Sequence, residues 1–154
     1  MDHVLQPVHP SHFAVIAGWL DSPGATLRWA GAGVLFPLPS NAFAAALSLS
    51  ERPGWVLLDA EGTCVGFGQY WPTAPGSTHL GRIIVSPQAR GRVLGRGLMT
   101  ALCAEAVHRT VAAQLTLKVY RDNPAAVALY RDLGFVASED ASTPELLFMA
   151  RRAA

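Results

Sequence analysis

The sequence predicts a single mixed α/β domain: a central, mostly antiparallel sheet of about six or seven strands flanked by about four helices. Three observations carry this. Strand-like and helix-like apolar periods alternate along the second half of the chain, and turn-forming residues separate them. Hydrophobic residues make up 51% of 154, enough for one core of ordinary size. Charged residues reach only 15%, against about 25% in an average globular chain, so no long disordered stretch is expected and residues 1–154 are read as one domain.

Ser11 is placed to cap a first helix running to about Leu20, in which Phe13, Ile16 and Leu20 recur at helical spacing. Residues 21–24 read as a turn. Residues 27–39, with Trp29 and Phe36 among glycines and prolines, read as a loop. Ser40 is placed to cap a second helix, which Arg52-Pro53-Gly54 closes off. Residues 55–58 and 63–71 flank Asp59-Ala60-Glu61-Gly62 and form a hairpin, with 72–77 as the next loop. Strand character resumes over 79–85, and Pro87 ends it because proline cannot donate to a ladder. From Gly95 to about Thr110, Leu98, Leu102 and Ala106 recur every four positions, which marks a helix. Leu115, Leu117 and Val119 then alternate with Thr116, Lys118 and Tyr120 in the period of a strand. Asn123-Pro124 opens another helix that ends near Leu133-Gly134, and residues 135–137 and 145–149 supply two final strands. A strand, a helix and a further strand in the middle of this order imply a crossover connection.

Several classes of protein fit poorly. The apolar runs 13–20 and 30–38 are too short to span a bilayer, and the N-terminus lacks a basic segment followed by an apolar core, so a cytoplasmic protein is expected. Cys64 and Cys103 are expected as buried free thiols, and no metal site is expected from them or from His3, His9 and His12. A net charge of +1 argues against a surface built for nucleic acid or anionic lipid. The charge is unevenly placed, however. No acidic residue occurs between Glu61 and Glu105, whereas Arg82, Arg90, Arg92 and Arg96 do, so a positive field is concentrated near one loop and an anion is expected there.

That loop runs from Val85 to Leu98, through Ser86-Pro87-Gln88-Ala89-Arg90-Gly91-Arg92-Val93-Leu94-Gly95-Arg96-Gly97. It joins a strand end to a helix start, where unpaired backbone N–H groups point outward and the helix adds roughly half a positive charge. Glycines let an anion approach the backbone closely. Three N–H donors at roughly 1.5 kcal/mol each would contribute about 4 to 5 kcal/mol towards a pyrophosphate. Neither a Walker loop nor the dinucleotide fingerprint fits: the first needs Gly-Lys-Ser or Gly-Lys-Thr, and the second needs glycine where Thr100 stands.

The stretch resembles the acetyl-CoA motif of the GNAT family of N-acetyltransferases, in which valine, any residue and proline precede an arginine- or glutamine-led glycine loop. In the register set by Pro87, Arg90 leads and Gly95 is the final glycine, with Val93 where the family commonly has glycine. A register beginning at Arg92, with Gly95 and Gly97, matches the pattern literally but loses the spacing from Pro87. Asn123-Pro124-Ala125-Ala126-Val127-Ala128-Leu129-Tyr130, followed by Gly134-Phe135, resembles the family's second signature, so the likeness covers residues 56–135.

The resemblance implies a GNAT-like fold, acetyl-CoA as cofactor, and transfer of an acetyl or short acyl group to a primary amine of a small molecule or peptide. Its implied cofactor contacts are Ile83, Ile84, Val85, Arg90, Gly91, Arg92, Val93, Leu94, Gly95, Arg96, Asn123 and Tyr130. It places the oxyanion donor on a backbone N–H of residues 82–85 and makes Tyr130 the acid that protonates the departing thiolate. His79, at the start of the central strand, is the candidate base; Glu105 lies about 15 Å along its helix and is discounted. Arg82 either holds an acidic acceptor or covers the sheet with its stem, and Trp29 is the tryptophan best placed to touch substrate. A second reading is a catalytically inactive acyl-CoA-binding sensor or partner module; nucleic-acid binding through the arginines ranks far below both. Monomer and homodimer are equally compatible with the sequence.

Overall fold

The computed structural model describes residues 3–90 and 92–153, with Arg92 described by its backbone alone. Its seven strands are β1 (Val4–Pro7), β2 (Gly54–Leu58), β3 (Cys64–Ala74), β4 (Ser77–Val85), β5 (Gln114–Tyr120), β6 (Val136–Ser138) and β7 (Leu146–Arg152). They lie in the order β1-β2-β3-β4-β5-β7-β6. β4 and β5 run parallel and the other neighbours antiparallel. The helices are α1 (Phe13–Ala17), α2 (Pro23–Ala30), α3 (Ser40–Ala46), α4 (Arg92–Thr110) and α5 (Pro124–Asp132). The α4 crossover between β4 and β5 is the connection that parallel neighbours require.

The second half of the chain folds as its periodicity predicts, and the first half departs from it. The reading began with helices, but residues 4–7 form β1, paired along the outer edge of β2. Pro7 is tolerated there because an edge strand needs no donor on its outer side. The helix expected from Ser11 to Leu20 is a 3-10 turn at Pro10–His12 followed by the five residues of α1. Its cap is His9, whose Nδ1 accepts from the Ser11 amide at 3.1 Å. Where a turn and a loop were expected, α2 forms: Ser22 Oγ accepts from the Ala25 amide at 3.0 Å, and Pro23 fills the first helical position. Ser40 is the first residue of α3 and not its cap; that position belongs to Pro39.

The hairpin turn is built as its residues predict. Asp59 Oδ1 accepts from the amides of Glu61 and Thr63 at 3.0 and 2.9 Å, and Gly62 takes a φ of +81°. β3 continues through Ala74 and β4 starts at Ser77, so the loop expected over 72–77 shrinks to a tight turn.

Apolar side chains cover both faces of the sheet. On one face Leu80, Leu115, Leu117 and Met149 pack with Met99 and Leu102 of α4. Gly68 permits that approach, since a Cβ there would sit 2.7 Å from Leu102 Cδ2. On the other face Val56 and Phe67 pack with Ile16, Phe43 and Leu47 of the N-terminal helices. Among the described residues no helix is long and apolar enough to cross a membrane.

Candidate active site

The centre of the sheet comes apart. β4 and β5 are paired at Ser77–Gln114, Thr78–Leu115 and His79–Thr116, and the ladder stops there. Between Phe67–Ile84 and Gln69–Gly81 the register of β4 against β3 shifts by one residue, and Arg82 takes a φ of +51°. Such a bulge bends its strand and increases the local twist. β4 therefore leans away from β5 beyond His79, and a cleft of about 600 Å³ opens between them. Its β4 wall is Gly81 to Val85, its β5 wall is Lys118 to Tyr120, and Asn123 and Tyr130 of α5 close one end. Trp19, Asp21, Arg28 and Trp29 form the opposite wall. On the β5-facing edge of β4, amides beyond His79 have no strand to bond and are directed at the opening.

Of the residues singled out in the sequence, Ile83, Ile84, Val85, Arg90, Asn123 and Tyr130 are brought together around this cleft. Asn123 also caps α5, its Oδ1 accepting from the Ala126 amide at 3.2 Å. Tyr130 is buried, and no protein group among the described residues hydrogen-bonds its hydroxyl. Burial, and then the neighbouring Cys103, push its pKa up to about 12, so it stays protonated throughout the physiological range. Arg90 sits at the mouth, with its Nε 3.4 Å from the carbonyl of Val85.

The side chains at the start of α4 are turned to other tasks. Val93 is 75% exposed and helical, so the position needs no glycine conformation. Arg96 pairs with Asp132 at 3.2 Å and shares a shallow depression with Val93 and Gly97, away from the cleft. Leu94 packs against Leu57, Val65 and Leu98. Gly95 serves the approach of α5: a Cβ there would meet Leu129 Cδ2 at 3.2 Å. What Val93 to Arg96 offer an anion is backbone, the first-turn N–H groups and the helix dipole. Gly91 and the side chain of Arg92 lie outside the described residues.

His79 does not share the cleft with Tyr130. Its Nδ1 is 2.8 Å from Thr116 Oγ1, its ring lies 5.4 Å from that of Trp71, and it lines an adjoining depression that shares Lys118 with the cleft. Burial, then Lys118 and Arg52, lower its pKa to about 4. The folded chain therefore keeps it neutral, while the unfolded chain takes up a proton below about pH 6.5. This cost to folding is absent at pH 7.5 and grows as pH falls through 6.5 towards 4. Denaturant titrations should show the difference in stability between His79→Gln and the parent changing by about 2–3 kcal/mol, in favour of the variant, from pH 7.5 to 4.5. A difference that does not vary with pH would contradict this placement.

Three lining groups escaped the sequence reading. Arg28 lies 4.1 Å over the Tyr120 ring and pairs with Asp122 at 2.6 Å, tying α2 to the end of β5. Asp21 and Lys118 face the opening from either side. Arg28 and Asp21 were hidden because α2 was read as turn and loop.

The cleft thus combines a strand pair that parts beyond His79, Arg90 at its mouth and a buried phenol at its end. A model of the acetyltransferase (GNAT) family matches residues 24–135. The chain belongs to that family, whose members use acetyl-CoA as acetyl donor. The fold is that of solved members. Spermidine N-acetyltransferase from Vibrio cholerae, in complex with CoA and spermine, superposes with a TM-score of 0.80 at 16% identity, covering 98% of this chain and 95% of that one. The aminoglycoside acetyltransferase AAC(6')-Ib, in complex with coenzyme A and kanamycin, gives 0.76 at 17% identity over 98% and 95%. Ribosomal-protein-alanine N-acetyltransferase from Brucella melitensis gives 0.75 at 22% identity over 97% and 99%.

Proposed function

We infer that the protein transfers an acetyl or similarly short acyl group from acetyl-CoA to a primary amine of a small molecule or peptide, by direct attack on the thioester. The observation that carries this is the seam between β4 and β5, where unpaired amides and the protonated, unpartnered hydroxyl of Tyr130 face one opening. The opening suits acetyl-CoA. First-turn amides of α4 and Arg90 supply countercharge for a pyrophosphate, and Ile83, Val85 and Val119 supply an apolar wall for an extended chain.

Acetyl-CoA brings an acyl carbon already activated as a thioester. The protein has three tasks around it. Backbone N–H groups on the cleft edge of residues 82–85 donate to the acyl oxygen, where negative charge develops as the amine attacks. Asn123 and the strand walls hold the reacting carbon in reach of the acceptor side. Tyr130 Oη donates its proton to the sulfur as the carbon–sulfur bond breaks, and the new amide nitrogen sheds a proton to solvent. Solvent returns a proton to the Tyr130 phenolate, which restores the acid for the next cycle. His79 is set back from these groups, so the incoming amine loses its proton to water in the open cleft.

Calorimetry with coenzyme A and acetyl-CoA, followed by measurement of free thiol release over a panel of amines, tests the assignment. Heat on binding and amine-dependent release are expected. Absence of binding to either ligand overturns it, and binding without release over a broad panel would instead describe a non-catalytic acyl-CoA module.

A further inference from the structure

Beside the cleft, on the face of the sheet that carries α3, lies a second depression of about 330 Å³. Trp71 and His79 stand opposite each other across β3 and β4 at its wall, and Lys118 belongs to both openings. The Trp71 ring also reaches the cleft floor, since a Cβ on Gly81 would sit 2.5 Å from its Cη2. A molecule resting in the depression can thus reach the cleft beside Lys118, next to the seam.

The charge around Trp71 and this depression has one sign. Arg52 lies 4.2 Å from the Trp71 ring centroid and Arg82 lies 5.6 Å from it. Arg82 Nη1 donates to neutral acceptors, the Leu47 carbonyl at 3.2 Å and Gln69 Oε1 at 3.4 Å, so its charge is not neutralised. Among the described residues neither arginine nor Lys118 is ion-paired. Arg28, a further cation at the cleft, is already matched by Asp122, leaving Asp21 as the opposing acid. Like charges gathered around an aromatic ring repel each other and are relieved by an anion, whereas a polycationic acceptor would add to the repulsion. The depressed protonation of His79, caused in part by Lys118 and Arg52, reports the same field.

Resting on the acetyl-transfer reading, we propose that the acceptor is an amine that also carries a carboxylate, with the carboxylate held between Trp71, His79 and Lys118. Arg52 and Arg82 supply the long-range field, and Lys118 Nζ and the His79 ring supply the short contacts. The amine then points past Lys118, the residue common to both openings, towards the seam.

The test is calorimetry on the full chain saturated with coenzyme A, titrated with N-acetyl amino acids and with their methyl esters. The acids should bind about 10- to 100-fold tighter than the esters, in line with a charge-assisted contact. Lys118→Met and Arg52→Met should each reduce that ratio severalfold, and the preference should fall with added salt. Equal binding of acid and ester, no binding of either to the coenzyme A complex, or tighter binding of acetylated polyamines would overturn the proposal. Each of these outcomes leaves the acetyl-transfer assignment standing, because saturation with coenzyme A is established first; failure at that earlier step would remove the assignment itself.

Discussion

Tyr130→Phe is expected to lower kcat by about 100-fold or more while leaving the affinity for coenzyme A within a few-fold of the parent. The change deletes one oxygen. That oxygen has no protein hydrogen-bond partner among the described residues, so no buried group is orphaned and thermal stability should hold. The ring remains to pack edge-on against Phe135, with centroids 6.3 Å apart. Only the proton donor is lost, and the loss should appear in single-turnover acyl transfer. Because the phenol is pushed up to about 12, the parent should show no loss of activity between pH 7 and 10 from ionisation of Tyr130. Its rate should instead rise with pH as the acceptor amine becomes neutral. Turnover by the phenylalanine variant at the parental rate would remove Tyr130 from the chemistry.

The second large effect is structural. Phe67 is fully buried and stands edge-on to both Phe43 and Trp29, with centroids 5.8 and 6.0 Å away. It anchors α2 and α3 to the sheet, and with them the wall of the cleft that carries Arg28 and Trp29. Phe67→Ala should cost about 3–5 kcal/mol through lost burial and an unfilled cavity. That is a large part of a total stability of about 5–15 kcal/mol, and the melting temperature should fall by roughly 10 °C. Since the end of the cleft with Val85, Arg90, Asn123 and Tyr130 does not rest on α2 or α3, KM for the acceptor should rise more than KM for acetyl-CoA. A melting temperature within about 2 °C of the parent would mean that the site collapses around the missing ring.

How much of this was legible varies along the chain for physical reasons. From Gly54 onward, elements announce themselves by period, cap and turn. Asp59 and Gly62 make the hairpin they suggest, and Asn123 caps the helix it precedes. The cleft residues contributed by that region, from Ile83 to Val85 with Asn123 and Tyr130, lie together because two local signatures fix two elements that the α4 crossover brings side by side. The N-terminal third is different. β1 is four residues long and has no period to detect, and it exists because β2 offers an edge. Ser22-Pro23 caps and opens α2, but with Asp21 and Gly24 around it the pair reads as a turn, and the glycines beyond Ala30 read as loop. The bulge at Arg82 left no trace, since an arginine in a left-handed conformation is imposed by its surroundings and not preferred by the residue. The helical position of Val93, and the pairing of Arg96 with Asp132, likewise depend on where α5 packs.

The junction of β4 with β5 divides the molecule mechanically. The N-terminal four strands and the C-terminal three touch through a short run of main-chain bonds, the side-chain bonds His79–Thr116 and Ser77–Gln114 beside it, and the hydrophobic layer beneath α4. A ligand threaded into the gap is therefore a splint as well as a reactant, joining two plates that the backbone leaves partly unjoined. By mass action, occupancy at a hundred times Kd raises resistance to unfolding by about 2.7 kcal/mol. An acceptor arriving afterwards meets a stiffer frame than the empty protein presents, which favours loading the donor first.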